Sequence, residues 1–181
     1  MALLKDLPLD KLTAARLWSA LDPPTRTLAA QALFDGDRSV RNQADHAIAI
    51  ALRFRDAGVR KLSVDRRIGY LVRVVRPDDD LASSLLMALH LGCRQELLSA
   101  FLDELQIPNE DGLIDSDHEV SPVTTAHLEP AVAKLRERFD TDEVELYLAS
   151  LLALDPDTWD GLTTLLQPDA SEAPPQTDPD R

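Results

Sequence analysis

The chain has 181 residues, a formal net charge of −13 at pH 7 and a single cysteine, Cys93. A chain of this length buries enough surface to fold without a disulfide or a metal ion, and one cysteine excludes an intramolecular disulfide. We expect Cys93 to be a small buried hydrophobic residue in a reducing compartment. Nucleic acid and anionic lipid are polyanions that repel such a protein, so general affinity for either is not expected.

The charge is divided unevenly along the chain. Residues 1–100 carry 15 Lys and Arg against 12 Asp and Glu, whereas residues 101–181 carry 4 against 20. The first part is therefore about +3 and the second about −16. Opposed charges of this kind are suited to steering a charged partner.

Apolar residues recur with helical spacing from end to end, and only 4% of the residues are aromatic. This pattern predicts an all-α fold of eight to nine helices in antiparallel hairpins, arranged as a compact helical bundle or a short HEAT-like stack. We expect residues 1–167 to form a single α-helical domain. The tail, 168–181, has four prolines and almost no apolar residues, so we expect a disordered Pro/acidic tail.

In the first half, the first predicted helix runs from Asp10, a plausible N-cap, to Leu21. Asp22-Pro23 ends the first helix and starts the second, and Asp155-Pro156 has the same pattern near the end of the chain. We interpret both pairs as boundaries between consecutive helices. The second helix ends at Asp35-Gly36, with Leu28 expected to face inward. The third predicted helix covers about Val40–Arg55 and the fourth about Val64–Arg76. The fifth begins at Asp78.

The third predicted helix carries a stripe of small apolar residues that would let a neighbouring helix approach closely. The stripe consists of Ala44, Ala47, Ile48, Ala51 and Leu52. The sixth helix has the strongest apolar face of the chain, which consists of Leu97, Leu98, Phe101, Leu102 and Leu105. The seventh predicted helix carries the apolar residues from Leu128 to Phe139. The eighth spans Asp142 to Leu154, and the ninth spans Asp157 to Leu166.

Between the sixth and seventh helices, Pro108 to Pro122 is predicted to be an acidic connector without regular structure. Its carboxylates suggest calcium, but an EF-hand register with Gly112 at position six places Ile107 where the first ligand should stand. No metal site is predicted, although the sequence leaves open whether residues 109–119 bind a cation. The four histidines show no zinc spacing. These are His46, His90, His118 and His127.

No motif for catalysis or for a cofactor is found. The glycines are scattered singly, which excludes a dinucleotide fingerprint and a Walker loop, and Ser and Thr lack a nucleophile elbow. Cys93 has no identifiable base. We therefore predict that the protein is not an enzyme and needs no cofactor.

The strongest positive signal is a basic stretch of eight Lys and Arg in 24 residues. It consists of Arg53, Arg55, Arg60, Lys61, Arg66, Arg67, Arg73 and Arg76. Arg66, Tyr70 and Arg73 fall at i, i+4 and i+7 of the fourth predicted helix, where two guanidinium groups beside a phenol could clamp a phosphate or a carboxylate. The same pattern is also typical of a solvated face, or of one neutralised by the acidic C-terminal helices.

These observations favour a non-enzymatic helical adaptor, chaperone-like or regulatory, that binds a protein partner through exposed side chains such as Trp18 or Trp159. The alternative is an anionic-ligand or nucleic-acid-associated regulator that uses Arg66, Tyr70 and Arg73. Neither a signal peptide nor an apolar run of about 20 residues is found, so a cytoplasmic protein with no membrane contact is expected. Partner identity, pathway, helix packing order and oligomeric state are left open.

Overall fold

A computed structural model describes residues 7–114 and 120–167. Within these ranges the chain forms eleven α-helices, a short 3-10 turn and one β-hairpin with two residues in each strand. This confirms the prediction of an all-α fold. The predicted tail 168–181, and residues 115–119 of the acidic connector with His118, lie outside the described residues. The helices are α1 Ala14–Ala20, α2 Pro23–Asp35, α3 Arg38–Leu52, α4 Asp56–Val59, α5 Val64–Arg73, α6 Asp79–Cys93, α7 Gln95–Glu104, α8 Thr125–Arg138, α9 Thr141–Leu154, α10 Pro156–Trp159 and α11 Leu162–Leu166.

Most helices begin at a side chain that caps a free backbone N–H. Asp22 Oδ1 accepts from Thr25 N at 2.9 Å, and Asp155 Oδ1 accepts from Thr158 N at 3.2 Å. In both helices a proline follows the cap, where its missing N–H costs nothing. The two Asp-Pro pairs therefore act as helix starts, as the sequence predicts.

The helix count exceeds the prediction because one helix was not predicted and another is divided in two, and the first helix is shorter than expected. The first helix begins at Ala14 with Thr13 as its N-cap, and Asp10 belongs instead to a 3-10 turn, Leu9–Lys11. The four-residue helix α4 inside the basic stretch was not predicted. The predicted last helix is divided by Asp160-Gly161 into α10 and α11.

The start of the acidic connector is ordered, contrary to the sequence prediction. Asn109–Glu110 pairs with Leu113–Ile114 in an antiparallel hairpin. The two turn residues between them, Asp111 and Gly112, have φ angles of 52° and 82°. Positive φ at both positions is the requirement of the tight hairpin turn that Asp-Gly favours, so the sequence signal was present and was missed.

Replacing Gly112 by alanine should lower the free energy of unfolding by about 2 kcal/mol. A Cβ atom there would combine an unfavourable positive φ with an approach of 2.5 Å to Leu98 Cβ. Urea denaturation measures the loss. The matched control is Gly69→Ala inside α5, where a Cβ meets nothing within 4 Å and should add about 0.5–1 kcal/mol. Equal effects from both variants would contradict this account.

The buried side chains form one continuous core in which α6 packs against α1, α2 and α3, and α9 packs against α1, α6 and α8. Trp18 and Trp159, which the sequence suggested as partner contacts, are only 2% and 4% exposed. The ring of Phe101 lies 5.6 Å from Tyr147 and 5.7 Å from Trp159. Both tryptophans are therefore core residues, and that prediction was wrong.

Three further burial predictions were wrong. Leu28 is 47% exposed, because the side of α2 that faces the core carries Ala29, Ala30, Leu33 and Phe34 instead. Ala51, in the last turn of α3, is exposed. Cys93, the last residue of α6, is also exposed. In the part of the chain that the structure describes, no helix is long and apolar enough to cross a membrane.

Candidate functional site

The basic stretch spans the end of α3, all of α4 and α5, and the start of the link to α6. Arg53, the C-cap of α3, adopts a left-handed φ of 55°, and Phe54 N donates to Ala49 O at 2.8 Å. This helix end turns the chain back so that α4 and α5 pack beside α3. Seven of the eight basic residues in the stretch are exposed, Arg67 being the exception.

Arg66, Tyr70 and Arg73 lie on α5 at the predicted spacing. Arg66 and Arg73 are exposed, and neither forms an ion pair with another described residue. Tyr70 is half-buried and packs against the core, so only part of its ring is available for stacking. Ser63 caps α5 by accepting from Arg66 N at 3.4 Å. The three residues therefore share one helix, but the Tyr70 ring is less exposed than the spacing of the three residues suggests.

Arg67 has a structural role. Its Nη1 donates to both carboxylate oxygens of Asp45 at 3.0 Å, and its guanidinium lies 4.9 Å from the centre of the Phe34 ring. Asp45 is buried on α3, so this ion pair ties α3 to α5. Arg67 is therefore not available for a ligand.

Replacing Asp45 by asparagine should lower the free energy of unfolding by about 2 kcal/mol, because it removes charge-assisted hydrogen bonds from a poorly hydrated guanidinium. Chemical denaturation measures the change. The control is Asp35→Asn, the same substitution at an exposed site, which should stay within about 0.5 kcal/mol of the parent. A loss at Asp45 no larger than that at Asp35 would show that the pair contributes nothing.

The acidic half of the chain does not neutralise the basic stretch in the described residues. Its ion pairs join Glu143 to Arg94 at 3.5 Å and Glu104 to Lys134, both outside the stretch. Of the basic residues in the stretch, Arg67 pairs with Asp45, which belongs to the same half of the chain. Asp56, inside the stretch, contacts His46 of α3 instead of a basic residue of the stretch. Its positive charge thus remains largely on the surface.

Exposed apolar side chains accompany this charge. Among the described residues seven large hydrophobic side chains are exposed, and four of them lie between residues 50 and 74. These four are Ile50, Phe54, Val64 and Val74. Ile50, in the last turn of α3, is 66% exposed, and Phe54, two residues after the helix ends, is 54% exposed. We call Ile50, Phe54 and Val74, with Arg53 and Arg76, the basic–apolar surface.

A pocket of about 260 Å³ opens next to this surface, between α3 and the α5–α6 link. One wall is a stripe of α3 residues, and the other comes from the link and the first turn of α6. The α3 wall consists of Gln43, His46, Ala47, Ile50 and Ala51, and the opposite wall of Val75, Arg76, Pro77, Asp78 and Leu81. The predicted small-residue stripe therefore borders open space at Ala47 and Ala51.

This surface was not among the predicted sites. Its signal in the sequence is the alternation Arg53-Phe54-Arg55 and the pair Arg73-Val74. A group of exposed large apolar side chains indicates an interaction surface, whereas a single exposed apolar residue is ordinary. Whether such a residue is exposed depends on which helices pack over it, and that is a tertiary property.

A serine and a histidine also meet in the core, but their arrangement does not favour nucleophilic catalysis. His90 Nε2 lies 2.9 Å from Ser150 Oγ, and that hydroxyl donates to Leu146 O at 2.8 Å. Because the only hydroxyl proton is directed to Leu146, His90 Nε2 must donate to Ser150 rather than accept from it. Both side chains are buried.

Within residues 7–114 and 120–167, no three His, Cys, Asp or Glu side chains converge as metal ligands. Comparison with known proteins finds no family model, no curated protein and no solved structure that matches this chain. Function must therefore be argued from the surface itself.

Proposed function

We propose that this protein is a non-enzymatic helical adaptor, chaperone-like or regulatory, that binds a protein partner through the basic–apolar surface. The observation that carries the proposal is the coincidence of exposed Ile50 and Phe54 with unneutralised arginines. Interfaces combine apolar and aromatic anchors with arginine, and exposed apolar side chains gain free energy when a partner covers them. The tryptophans do not contribute, since both are buried.

The double variant Ile50→Ser/Phe54→Ser tests this proposal. The partner should be captured from host extract by the full-length chain, retained after nuclease treatment and at moderate salt, and reduced at least 10-fold by the double variant. The matched control is Leu28→Ser/Met87→Ser, which removes two exposed apolar side chains elsewhere. Equal capture by both double variants would overturn the proposal, and thermal melting checks that all chains fold alike.

A second function is favoured by one observation, that the exposed Arg66 and Arg73 form no ion pair with a described residue. In this alternative the protein is an anionic-ligand or nucleic-acid-associated regulator that uses Arg66, Tyr70 and Arg73. Binding of a phosphate-rich polyanion should fall steeply with salt and be lost in Arg66→Ala/Arg73→Ala. Deleting residues 168–181 should strengthen it. No binding at low salt after that deletion would dismiss this alternative.

A cytoplasmic location is part of the proposal. An unpaired, exposed Cys93 suits a reducing compartment, where a free thiol on the surface stays reduced. Cell fractionation with thiol labelling before lysis checks it, and recovery of the protein with Cys93 already oxidised would contradict it.

A further inference from the structure

The pocket beside the basic–apolar surface is sized for a side chain rather than for a small-molecule cofactor. Its volume of about 260 Å³ lies below the roughly 300–1,000 Å³ of pockets that enclose drug-sized ligands. Ala47, Ala51, Val75, Pro77 and Leu81 supply its apolar lining. Space of this size with apolar walls fits one large apolar side chain.

Four side chains with polar groups line the pocket, and two of them are held within the protein. The Asp78 carboxylate accepts from Leu81 N at 3.0 Å and caps α6, and His46 Nδ1 lies 3.2 Å from Asp56 Oδ2. The exposed side chains of Gln43 and Arg76 complete the polar lining, and Arg76 forms no ion pair with a described residue. Arg76 is therefore the cation that the pocket offers to a partner, two residues from the carboxylate of Asp78.

The chain around the pocket is positive on balance. Residues 53–80, which include the acidic start of α6, contain eight Lys and Arg against five Asp, a net charge of about +3. The acidic residues of the chain are concentrated after residue 100, and the ion pairs that Glu104 and Glu143 form lie outside this stretch. Charge complementarity thus selects a partner segment rich in Asp or Glu. A nucleic acid would match the charge, but its bases carry polar edges, so they fit an apolar pocket less well than an apolar side chain does.

We propose that the pocket between α3 and the α5–α6 link receives one large apolar side chain from an acidic segment of a protein partner. Arg76 then pairs with a carboxylate of that segment, next to the apolar side chain. This inference rests on the proposed function and specifies the chemistry of the partner. Hot spots of this form, an anchor in a pocket with charges around it, dominate many interfaces. Phe54 and Val74 then extend the contact beyond the pocket.

A library of random 12-residue peptides, selected on the full-length protein, tests this inference. The enriched peptides should contain one Leu, Phe or Trp among several Asp or Glu residues. Affinity of the best synthetic peptide, measured by fluorescence polarisation, should fall at least 10-fold when its apolar anchor is replaced by alanine. Enrichment of basic or uncharged peptides, or of none, would overturn the inference.

Variants of the protein then locate the anchor. Ala51→Phe adds an aromatic ring at the pocket wall and should weaken peptide binding at least 10-fold, and Arg76→Glu should do the same. The matched control is Asn42→Phe, which adds the same ring at an exposed position of α3 outside the pocket, and should leave binding within 2-fold. Because Ala51 is exposed, its variant should melt at the parent temperature.

The outcomes separate the inference from the proposed function. If acidic peptides bind and Ile50→Ser/Phe54→Ser abolishes binding while Ala51→Phe does not, the pocket inference fails and the proposed function stands. If neither affects binding, both fail. If deletion of residues 168–181 raises peptide affinity several-fold, or if Ala51→Phe abolishes self-association, the occupant is the tail or a second copy and the partner assignment is wrong.

Discussion

Acidification from pH 6.5 to pH 4 should lower the free energy of unfolding by up to about 1.4 kcal/mol per pH unit through His90 alone. Burial, and then the nearby positive charge of Arg94, lower the pKa of His90 from 6.5 to about 3. The folded protein thus keeps this imidazole neutral while the unfolded chain takes up a proton below pH 6.5. The stabilisation is complete above pH 6.5 and is lost as the pH falls towards 3.

Urea denaturation at half-unit pH intervals measures this slope. The control is His90→Gln, whose amide can still donate to Ser150 but does not titrate, so its unfolding free energy should vary much less between pH 6.5 and pH 4. Hydrogen bonds from Thr25 N and Ala15 N lower the pKa values of Asp22 and Asp79 below 3.8, so the stability that these carboxylates contribute begins to be lost below about pH 5, equally in parent and variant. The difference between the two slopes therefore reports His90. Equal slopes in parent and variant would show that His90 is protonated in the folded state.

Replacing Trp159 by alanine should lower the free energy of unfolding by about 4 kcal/mol. The indole is 4% exposed and lies 5.7 Å from the ring of Phe101, so its removal leaves a cavity that the surrounding core cannot fully close. Chemical denaturation followed by circular dichroism measures the loss. A variant too unstable to isolate is measured instead as Trp159→Phe, which should lose a smaller amount in the same direction.

Phe54→Ala is the matched control for this prediction. Phe54 is 54% exposed, so its removal should change stability by less than about 0.5 kcal/mol. The two aromatic residues thus have opposite expected roles, Trp159 in stability and Phe54 in partner binding. A loss below about 2 kcal/mol at Trp159 would contradict its place in the core.

Local signals in the sequence were sufficient for the helical class and for several helix boundaries. The apolar positions of α6, Leu81, Leu85, Leu86 and Leu89, are buried as their spacing predicts. Asp78 and the Asp-Pro pairs mark helix starts because capping and proline geometry involve only neighbouring residues. The Asp-Gly hairpin was equally local, and the acidic composition around it obscured the signal.

The candidate site depended on information that is not local. Arg66, Tyr70 and Arg73 share α5 as their spacing requires, but only packing decides that Tyr70 is half-buried and that Arg67 pairs with Asp45. Ile50 and Ala51 are exposed, and both line the pocket between α3 and the link after α5. Helical periodicity identifies an apolar stripe, but it does not show which part of the stripe another element covers.

The all-helical class, the helix caps and the uneven charge can be predicted from the sequence alone, because each depends on composition or on residues a few positions apart. Three features are visible only in the tertiary structure: both tryptophans are core residues, Cys93 is exposed, and apolar and basic side chains meet around one pocket. The physical reason is that burial depends on contacts between residues distant in the chain. Helix propensity and periodicity do not contain those contacts.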